Sequence, residues 1–194
     1  YPVAVEALRV LREAGYDVTL RTAGCGVRED DIRALAQELD VDRFFEPLGL
    51  VEDMAGFYRS IDIFLCPSAR EPFGNVALEA NYMGCPVICT AVDGLPEATA
   101  DGETSFCVPP TVESGPGGFA WREGLPPHVY DPRGDTLARP RWPAPAAVAE
   151  AVKKLLEGNG RYSRMSEAAH SRAGTSFRFE DHLRQLDRAL TEFA

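Results

Sequence analysis

Apolar and polar positions along the first half of the chain predict helices and strands in alternation. Apolar side chains recur at helical spacing on one face of the segment from Val3 to Ala14, and again from Glu29 to Leu39. Short strand-like runs lie at 17–23, 44–48, 61–65 and 86–91, and the last two are apolar enough for burial in a parallel sheet. This alternation predicts an α/β fold with a Rossmann-like, doubly wound parallel sheet.

The stretch at 61–99 carries the most information, because a strand, a loop, a helix and a second strand follow one another there. The helix begins near Phe73 or Gly74 and stops at Gly84, with Pro86 just beyond. A glycine at a helix end and a proline after it are typical of helix termini. The loop before the helix should lie beyond the carboxyl end of a strand, which is where open α/β sheets bind ligands.

Two carboxylates flank the start of this helix, with Glu71 in the loop and Glu79 eight positions later inside the helix. The backbone N–H groups left free at the helix start belong to Phe73, Gly74, Asn75 and Val76. These donors and the partial positive charge of the helix end suit a phosphate, and Gly74 lets a ligand approach the main chain closely. Carboxylates repel phosphate but accept hydrogen bonds from sugar hydroxyls. The pattern therefore suits a nucleoside diphosphate sugar, in which the diphosphate lies between two sugars.

Each glutamate taken alone also fits a purely structural role. Glu71 suits an anion favoured by the helix dipole, an effect well under about 1 kcal/mol at an exposed site, and Glu79 suits a solvated helix face. The binding role is favoured because the two glutamates occur together with the sequence PFG, a strand of small residues and the turn GLPE.

This combination of motifs resembles the donor-binding signature of family-4 retaining glycosyltransferases, which have the GT-B fold. The resemblance covers PFG after Glu71 and GCPVICTAVDGLPE further on. It implies that Glu71 is the catalytic-site residue that contacts hydroxyls of the transferred sugar, that Glu79 binds the ribose hydroxyls, and that the backbone around 73–76 holds the diphosphate. The chain would then be the C-terminal, donor-binding half of such an enzyme, with C-terminal helices that close this half.

The resemblance also implies that the segment 49–53 lies alongside the nucleobase, which is held largely by backbone groups. We assign this contact to Val51 and Asp53, and Asp53 suits equally well a plain N-cap of the helix that follows. The turn at 93–97 would lie near the sugar, with Glu97 ordering the loop more often than touching the ligand.

Members of that family carry a Gly-Arg strand and a lysine before the helix that opens this chain, and these cations neutralise the donor diphosphate. The sequence begins at Tyr1, inside that helix or at its edge. We therefore expect a fragment of a longer enzyme whose missing N-terminal half binds the acceptor, and we expect the fragment alone to be inactive. The first helix and the central strand should then lack a neighbour and expose apolar surface.

The segment at 109–145 is rich in proline and glycine and lacks apolar periodicity. It is predicted to be a long insertion in a single domain at 1–194, because relatives cross this gap in far fewer residues. One interpretation is that the insertion shapes the acceptor side or contacts a partner. The other, slightly favoured, is a mobile excursion held by its aromatic side chains. Three helices are predicted to follow, at 144–157, 162–173 and 180–193.

The net charge of −10 argues against a nucleic-acid partner and against binding of an anionic membrane by charge alone. No run of about eighteen apolar residues predicts a membrane span, so membrane association is not evident. The five cysteines are odd in number and mostly lie in apolar runs, which predicts core thiols rather than a disulfide framework or a metal site. The expectation is a cytoplasmic protein without a metal or a cofactor, for which the nucleotide sugar is a substrate.

The favoured function is transfer of a sugar from a nucleoside diphosphate sugar to an acceptor hydroxyl with retention of configuration. The alternative is a nucleotide-sugar-binding module without turnover, and an upstream half with the Gly-Arg strand would decide for the enzyme. An epimerase or a phosphorylase is disfavoured, because neither a cofactor lysine nor a carboxylate and histidine set is recognisable. The sequence leaves the base, the sugar and the acceptor open.

Overall fold

Parallel pairing joins the first five strands of the protein, whose computed structural model describes residues 2–113 and 125–192. The first two strands form one sheet and the next three form another, in chain order. They are β1 (Leu20–Thr22), β2 (Phe45–Pro47), β3 (Phe64–Cys66), β4 (Val87–Thr90) and β5 (Ser105–Val108). The parallel pairing confirms the predicted α/β class.

Helices occupy the connections between these strands, as the apolar spacing predicts. They are α1 (Pro2–Glu13), α2 (Glu29–Glu38), α3 (Met54–Arg59), α4 (Asn75–Tyr82) and α5 (Leu95–Ala98). A single 3-10 turn at Asp42–Phe44 leads into β2. Helices α1 to α4 agree with the predicted segments to within a few residues, whereas α5 lies in a predicted turn. Each of the strands β1 to β4 is shorter than the run that predicted it.

Strand β4 is the most deeply buried strand, with all four of its residues inaccessible to solvent. Val87 and Cys89 belong to a core cluster with residues of α3 and α4, whereas Ile88 belongs to a cluster with α1 and α6 (Pro145–Glu157). Successive residues of a strand point to opposite faces, so helices cover both sides of the sheet. This is the predicted doubly wound arrangement.

Helix α1 is packed on two sides, which contradicts the expectation that it lacks a neighbour. Val3, Ala7 and Leu11 lie in one core cluster with residues of α6. Val5 and Leu8 lie in another cluster with residues of α2. The expectation was wrong because α6 returns from the far end of the sequence to cover the helix.

The parallel strands nevertheless form two separate ladders. In the part of the chain that the structure describes, β1 pairs with β2 alone and β3 pairs with β4 alone. Phe64 and Leu65 of β3 are accordingly only half-buried, unlike the residues of β4. The central strand therefore does lack one neighbour, as expected from the sequence.

The predicted insertion contains regular structure on both sides of the undescribed residues 114–124. Strand β6 (Pro110–Val112) pairs antiparallel with β9 (Trp142–Pro143), and β7 (Val129–Asp131) pairs antiparallel with β8 (Thr136–Ala138). The missing apolar periodicity therefore did not mean missing strands in the described residues, and the mobility expected of this segment stays a prediction. Of its two tryptophans, Trp142 is buried in the core cluster of α1 and α6, and Trp121 lies outside the described residues.

The chain ends in three helices, as predicted: α6, α7 (Arg161–Ser176) and α8 (Phe179–Glu192). The predicted last residue of the third helix, at position 193, lies outside the described residues. Helix α7 packs on α4, where the Ser166 hydroxyl donates to the Gly84 carbonyl at 2.6 Å. Helix α8 exposes an apolar stripe that consists of Phe179, Leu183, Leu186 and Leu190. None of the helices within 2–113 and 125–192 is long and apolar enough to cross a membrane.

Candidate functional site

Unpaired backbone donors mark the start of α4, as predicted from the sequence. Gly74 is the N-cap and has a left-handed φ of 98°, and its carbonyl accepts hydrogen bonds from Ala77 and Leu78. Among the described residues, no hydrogen-bond partner exists for the backbone N–H groups of Phe73, Gly74, Asn75 and Val76. Such donors at the positive end of a helix form an anion-accepting position.

Two glycines allow the loop before α4 to pack against the turn after β4. A Cβ on Gly74 would lie 2.6 Å from Cδ2 of the fully buried Leu95. A Cβ on Gly94 would lie 2.4 Å from the carbonyl oxygen of Pro72 and 2.8 Å from Cα of Phe73. Both glycines are therefore needed for close contact rather than for a turn alone. The contact fixes the free amides of α4 against a rigid support.

Asp93 connects this loop to the predicted insertion. One oxygen of its carboxylate, Oδ2, accepts from the backbone N–H of Glu71 at 3.0 Å. The other, Oδ1, accepts from the backbone N–H of Tyr130 at 2.8 Å. Its own N–H donates to the Tyr130 carbonyl at 2.9 Å, and Asp93 adopts a left-handed φ of 46°. One residue thus holds both Glu71 and strand β7.

The Glu71 side chain is half-buried and has no hydrogen-bond or ion-pair partner within residues 2–113 and 125–192. Its position is set by its main chain, which donates to Asp93 and accepts from Gly94 N at 3.3 Å. The carboxylate is therefore free to accept hydrogen bonds from a ligand, while the backbone that carries it is held on both sides.

Glu79 accepts a hydrogen bond at 2.9 Å from the hydroxyl of Tyr58, a residue of α3 that is 2% exposed. Burial, followed by this hydrogen bond, raises the pKa of Tyr58 well above its ordinary value, so the phenol stays protonated and remains the donor. The bond uses Oε2 of Glu79. A cavity of about 490 Å³ lies beside the pair, and Met54, Ala55 and Leu78 contribute to its walls.

Val51 and Asp53 precede α3, next to two residues that line the same cavity as Glu79. The Asp53 carboxylate accepts from Gly56 N at 2.8 Å and is the N-cap of α3. The Asp53 side chain therefore has the N-cap role that the sequence suggested as an alternative. Val51 is half-buried against the cluster that contains Phe57. A nucleobase contact for Val51 and Asp53 stays a prediction.

Sequence patterns did not single out Asp93, Tyr58 and Tyr130 as residues that organise the site. An Asp-Gly pair shortly after a strand is a turn signal that could have drawn attention to Asp93. No local pattern connects Tyr58 to Glu79. A second cavity, of about 330 Å³, is lined by Arg70, Pro72, Asp93, Gly94, Glu97 and Tyr130.

Glu97 was predicted to order its loop, and it does so through its main-chain carbonyl. Arg172 of α7 donates to the carbonyls of Glu97 and Ala98, each at 3.0 Å, and so fixes the end of α5. The guanidinium of Arg172 also lies 5.0 Å from the ring centre of Phe177, which in turn contacts Phe73 edge to face at 5.8 Å. The Phe73 side chain therefore anchors the loop, and its amide is the part left free.

Cysteines and acidic residues do not form a metal site in the described parts of the chain. No group of three or more His, Cys, Asp or Glu side chains within 2–113 and 125–192 is arranged to hold a metal ion. All five cysteines are free thiols: Cys66, Cys85 and Cys89 are buried, Cys107 is half-buried and Cys25 is exposed. The core role predicted for the cysteines in apolar runs is confirmed, and the absence of a metal or cofactor requirement stays a prediction.

The fold and the site together define an α/β protein whose candidate ligand site lies beyond the carboxyl ends of parallel strands. A family model described as glycosyl transferases group 1 matches residues 1–117. The chain therefore belongs to this family. A D-inositol 3-phosphate glycosyltransferase of Corynebacterium glutamicum (strain R) is 37% identical to it over 132 residues, which are 63% of this chain and 30% of that protein. The chain thus spans about three tenths of the length of this curated relative.

Solved structures share the fold. Anabaena HepE, crystallised with UDP, superposes with a TM-score of 0.74 at 17% identity, covering 98% of this chain and 44% of that protein. The C-terminal domain of a glycosyl transferase group 1 protein, LpcC of Francisella tularensis, has a TM-score of 0.66 at 20% identity, covering 92% of this chain and 79% of that one. These likenesses confirm the predicted fold, the C-terminal half of a GT-B glycosyltransferase.

Proposed function

We propose that this chain supplies the donor site of a retaining glycosyltransferase, which transfers a sugar from a nucleoside diphosphate sugar to an acceptor hydroxyl. The observation that carries the proposal is the row of unpaired amides at 73–76, which lies between two glutamates with accessible carboxylate oxygens. Family membership supports the reaction class. The UDP complex of HepE supports a nucleoside diphosphate as the ligand class.

In this proposal the diphosphate binds at the N-terminus of α4. Negative charge builds up on the departing diphosphate in the transition state, so amides that already point at it lower the barrier electrostatically. The close contact at Gly74 and Gly94 keeps these amides from relaxing. Their fixed orientation is what gives them catalytic value, because no reorganisation is needed as charge develops.

The two glutamates bind the two sugars on either side of the diphosphate. Glu79 binds the ribose hydroxyls, and Tyr58 fixes the orientation of its carboxylate. Glu71 binds hydroxyls of the transferred sugar and places the anomeric carbon for reaction. Val51 and Asp53 contact the nucleobase through their main-chain groups. No protein nucleophile is assigned, and no resident cofactor is proposed, because the donor itself carries the leaving group.

The acceptor is proposed to bind to a part of the enzyme outside this chain, on an N-terminal half, since the chain spans only 30% of the curated relative described above. That relative is named for an inositol phosphate, a polyol with free hydroxyls, which supports a hydroxyl acceptor. We therefore propose that this chain alone binds the donor but does not transfer its sugar.

Isothermal titration of UDP, GDP and ADP into the protein tests the donor site. We expect saturable binding of one nucleotide, with Glu79→Ala weakening it about tenfold or more, because hydrogen bonds to a carboxylate are lost. Glu38→Ala is the matched control, since Glu38 is an exposed glutamate on α2 and should leave affinity unchanged. Absence of binding of all three nucleotides to the folded protein would overturn the proposal.

A further inference from the structure

The cavity of about 330 Å³ lies between the Glu71 loop, the turn after β4 and the hairpin β7–β8. Its walls include Arg70 and Pro72, the two neighbours of Glu71 in sequence, and Tyr130 of the hairpin, whereas Glu71 itself is not among the residues that line it. Its volume falls in the range of small-molecule pockets. The hairpin lies beyond residue 117, where the family match ends. One wall of this cavity therefore lies outside the segment that matches the family model.

The hairpin is attached firmly to the site. Val129 is 6% exposed and packs in the core cluster that contains Ala77 of α4 and Leu95 of α5. The next residue, Tyr130, makes two hydrogen bonds with Asp93, and the second carboxylate oxygen of Asp93 holds Glu71. The wall is thus fixed relative to the glutamate by buried packing and by paired main-chain groups.

We propose that the hairpin β7–β8 completes a subsite for a neutral hexose ring, with Tyr130 as the specificity-determining residue for the transferred sugar. This inference rests on the proposed function, because the hexose is the sugar of the donor. The Tyr130 ring offers an apolar surface for the C–H face of a pyranose, and its hydroxyl is already engaged with Asp135 at 2.9 Å. The ring therefore contributes shape rather than a hydrogen bond.

Charges in the cavity favour a neutral sugar over an acidic one. Asp93 uses both carboxylate oxygens for backbone N–H groups. The remaining groups are the Arg70 guanidinium and the Glu97 carboxylate, and within the described residues neither side chain has an ion-pair or hydrogen-bond partner. One free donor and one free acceptor match the hydroxyls of a hexose, whereas the carboxylate of a uronic acid would meet Glu97 as well as Arg70.

Titration of UDP and UDP-glucose into four proteins tests this inference: the unchanged chain, Tyr130→Ala, Tyr130→Phe and Leu137→Ala. Leu137 is the matched control, because it lies directly opposite Tyr130 in the hairpin, is 70% exposed and does not line the cavity. We expect Tyr130→Ala to leave UDP affinity within about twofold and to weaken UDP-glucose at least about fivefold. Tyr130→Phe and Leu137→Ala should retain the unchanged ratio of the two affinities.

Arg70→Ala guards against a folding effect of the Tyr130 substitution, since Arg70 is exposed and supports no other described residue. It should also weaken UDP-glucose more than UDP. Equal affinity ratios in the unchanged chain, Tyr130→Ala and Arg70→Ala would overturn the subsite while leaving the donor site intact. Tighter binding of UDP-glucuronate than of UDP-glucose would overturn the assignment to a neutral hexose. Where GDP or ADP binds in place of UDP, its glucose derivative replaces UDP-glucose in the same comparison. Failure of all three nucleotides to bind would instead refute the donor site on which the inference rests.

Discussion

The carboxylate of Asp93 holds the backbone N–H of Glu71 at 3.0 Å, across 22 positions of sequence. Because its second oxygen holds Tyr130, replacing one oxygen by an amide NH₂ removes an acceptor that a backbone donor needs. Asp93→Asn should keep the left-handed backbone, which asparagine tolerates, and should lower the free energy of unfolding by about 2 kcal/mol. Thermal unfolding should show a fall of roughly 4–8 °C in Tm.

Asp135→Asn is the control for that substitution. Asp135 also has a left-handed φ, of 48°, but its carboxylate accepts only from the exposed Tyr130 hydroxyl among the described residues. Its replacement should change Tm by much less than that of Asp93. Equal shifts in the two variants would mean that the bridge from Glu71 to the hairpin carries no special stability.

Gly74→Ala tests whether α4 needs close contact with Leu95 as well as a left-handed backbone. The new Cβ would lie 2.6 Å from the Leu95 side chain, so strain of about 1–2 kcal/mol from φ adds to about 1–3 kcal/mol from overpacking. Gly15→Ala separates the two effects, because Gly15 has a φ of 86° and open space around the added Cβ. Urea midpoints should fall in both variants and further in Gly74→Ala. A similar fall in both would mean that the contact is unimportant.

Tyr58→Phe should weaken nucleotide binding through Glu79 alone. The substitution removes the 2.9 Å hydrogen bond without changing the buried ring, so Glu79 loses its fixed orientation. We expect UDP affinity to fall about threefold to tenfold, because the Glu79 carboxylate is no longer held in place, while affinity for 2′-deoxy-UDP falls much less. Equal losses for the two nucleotides would show that Tyr58 acts on the general stability of the pocket and not on ribose recognition.

Thiol reactivity should report the burial of the cysteines. Under native conditions a thiol reagent should modify Cys25 rapidly, and Cys25→Ser should abolish that rapid phase. Burial raises the pKa of Cys66 to about 11 and of Cys85 to about 12, so both stay protonated and unreactive at neutral pH. Rapid modification of Cys66 or Cys85 would contradict this arrangement.

The same two thiols should make the protein less stable at alkaline pH. Their pKa in the folded protein lies above the ordinary value of 9.0, so the unfolded chain releases these protons more readily. Their contribution is fully present below about pH 9 and is lost as the pH rises to about 11 for Cys66 and to about 12 for Cys85. Urea midpoints at pH 8 and pH 10 should therefore differ, and Cys85→Ala should reduce the difference.

Local patterns predicted the parts of the fold that depend on local sequence. Apolar spacing placed α1, α2 and α4, and the row of buried side chains placed β4. The start of α4 and its free amides followed from helix geometry alone. The hairpin β7–β8 was missed because three-residue strands at 129–131 and 136–138 are too short for a visible alternation within a segment rich in proline and glycine.

Contacts between positions far apart in the sequence could not be predicted from local sequence patterns. Asp93 meets residues 22 and 37 positions away, and no spacing rule encodes such a pairing. The burial of α1 was mispredicted for the same reason, since α6 covers it only in three dimensions. The candidate site was predictable where a helix terminus formed it, and not where the packing of separate segments formed it.

The packing of α1 on α6 also sets an order of events during synthesis. Tyr16, just after α1, hydrogen-bonds to Glu157 at the end of α6, and these residues are 141 positions apart. At translation rates of about 5–20 residues per second, α6 is synthesised on the order of ten seconds after α1, and the apolar face of α1 stays uncovered until then. Helix α1 is therefore made early in this part of the chain, but it is among the last of its elements to be fully packed.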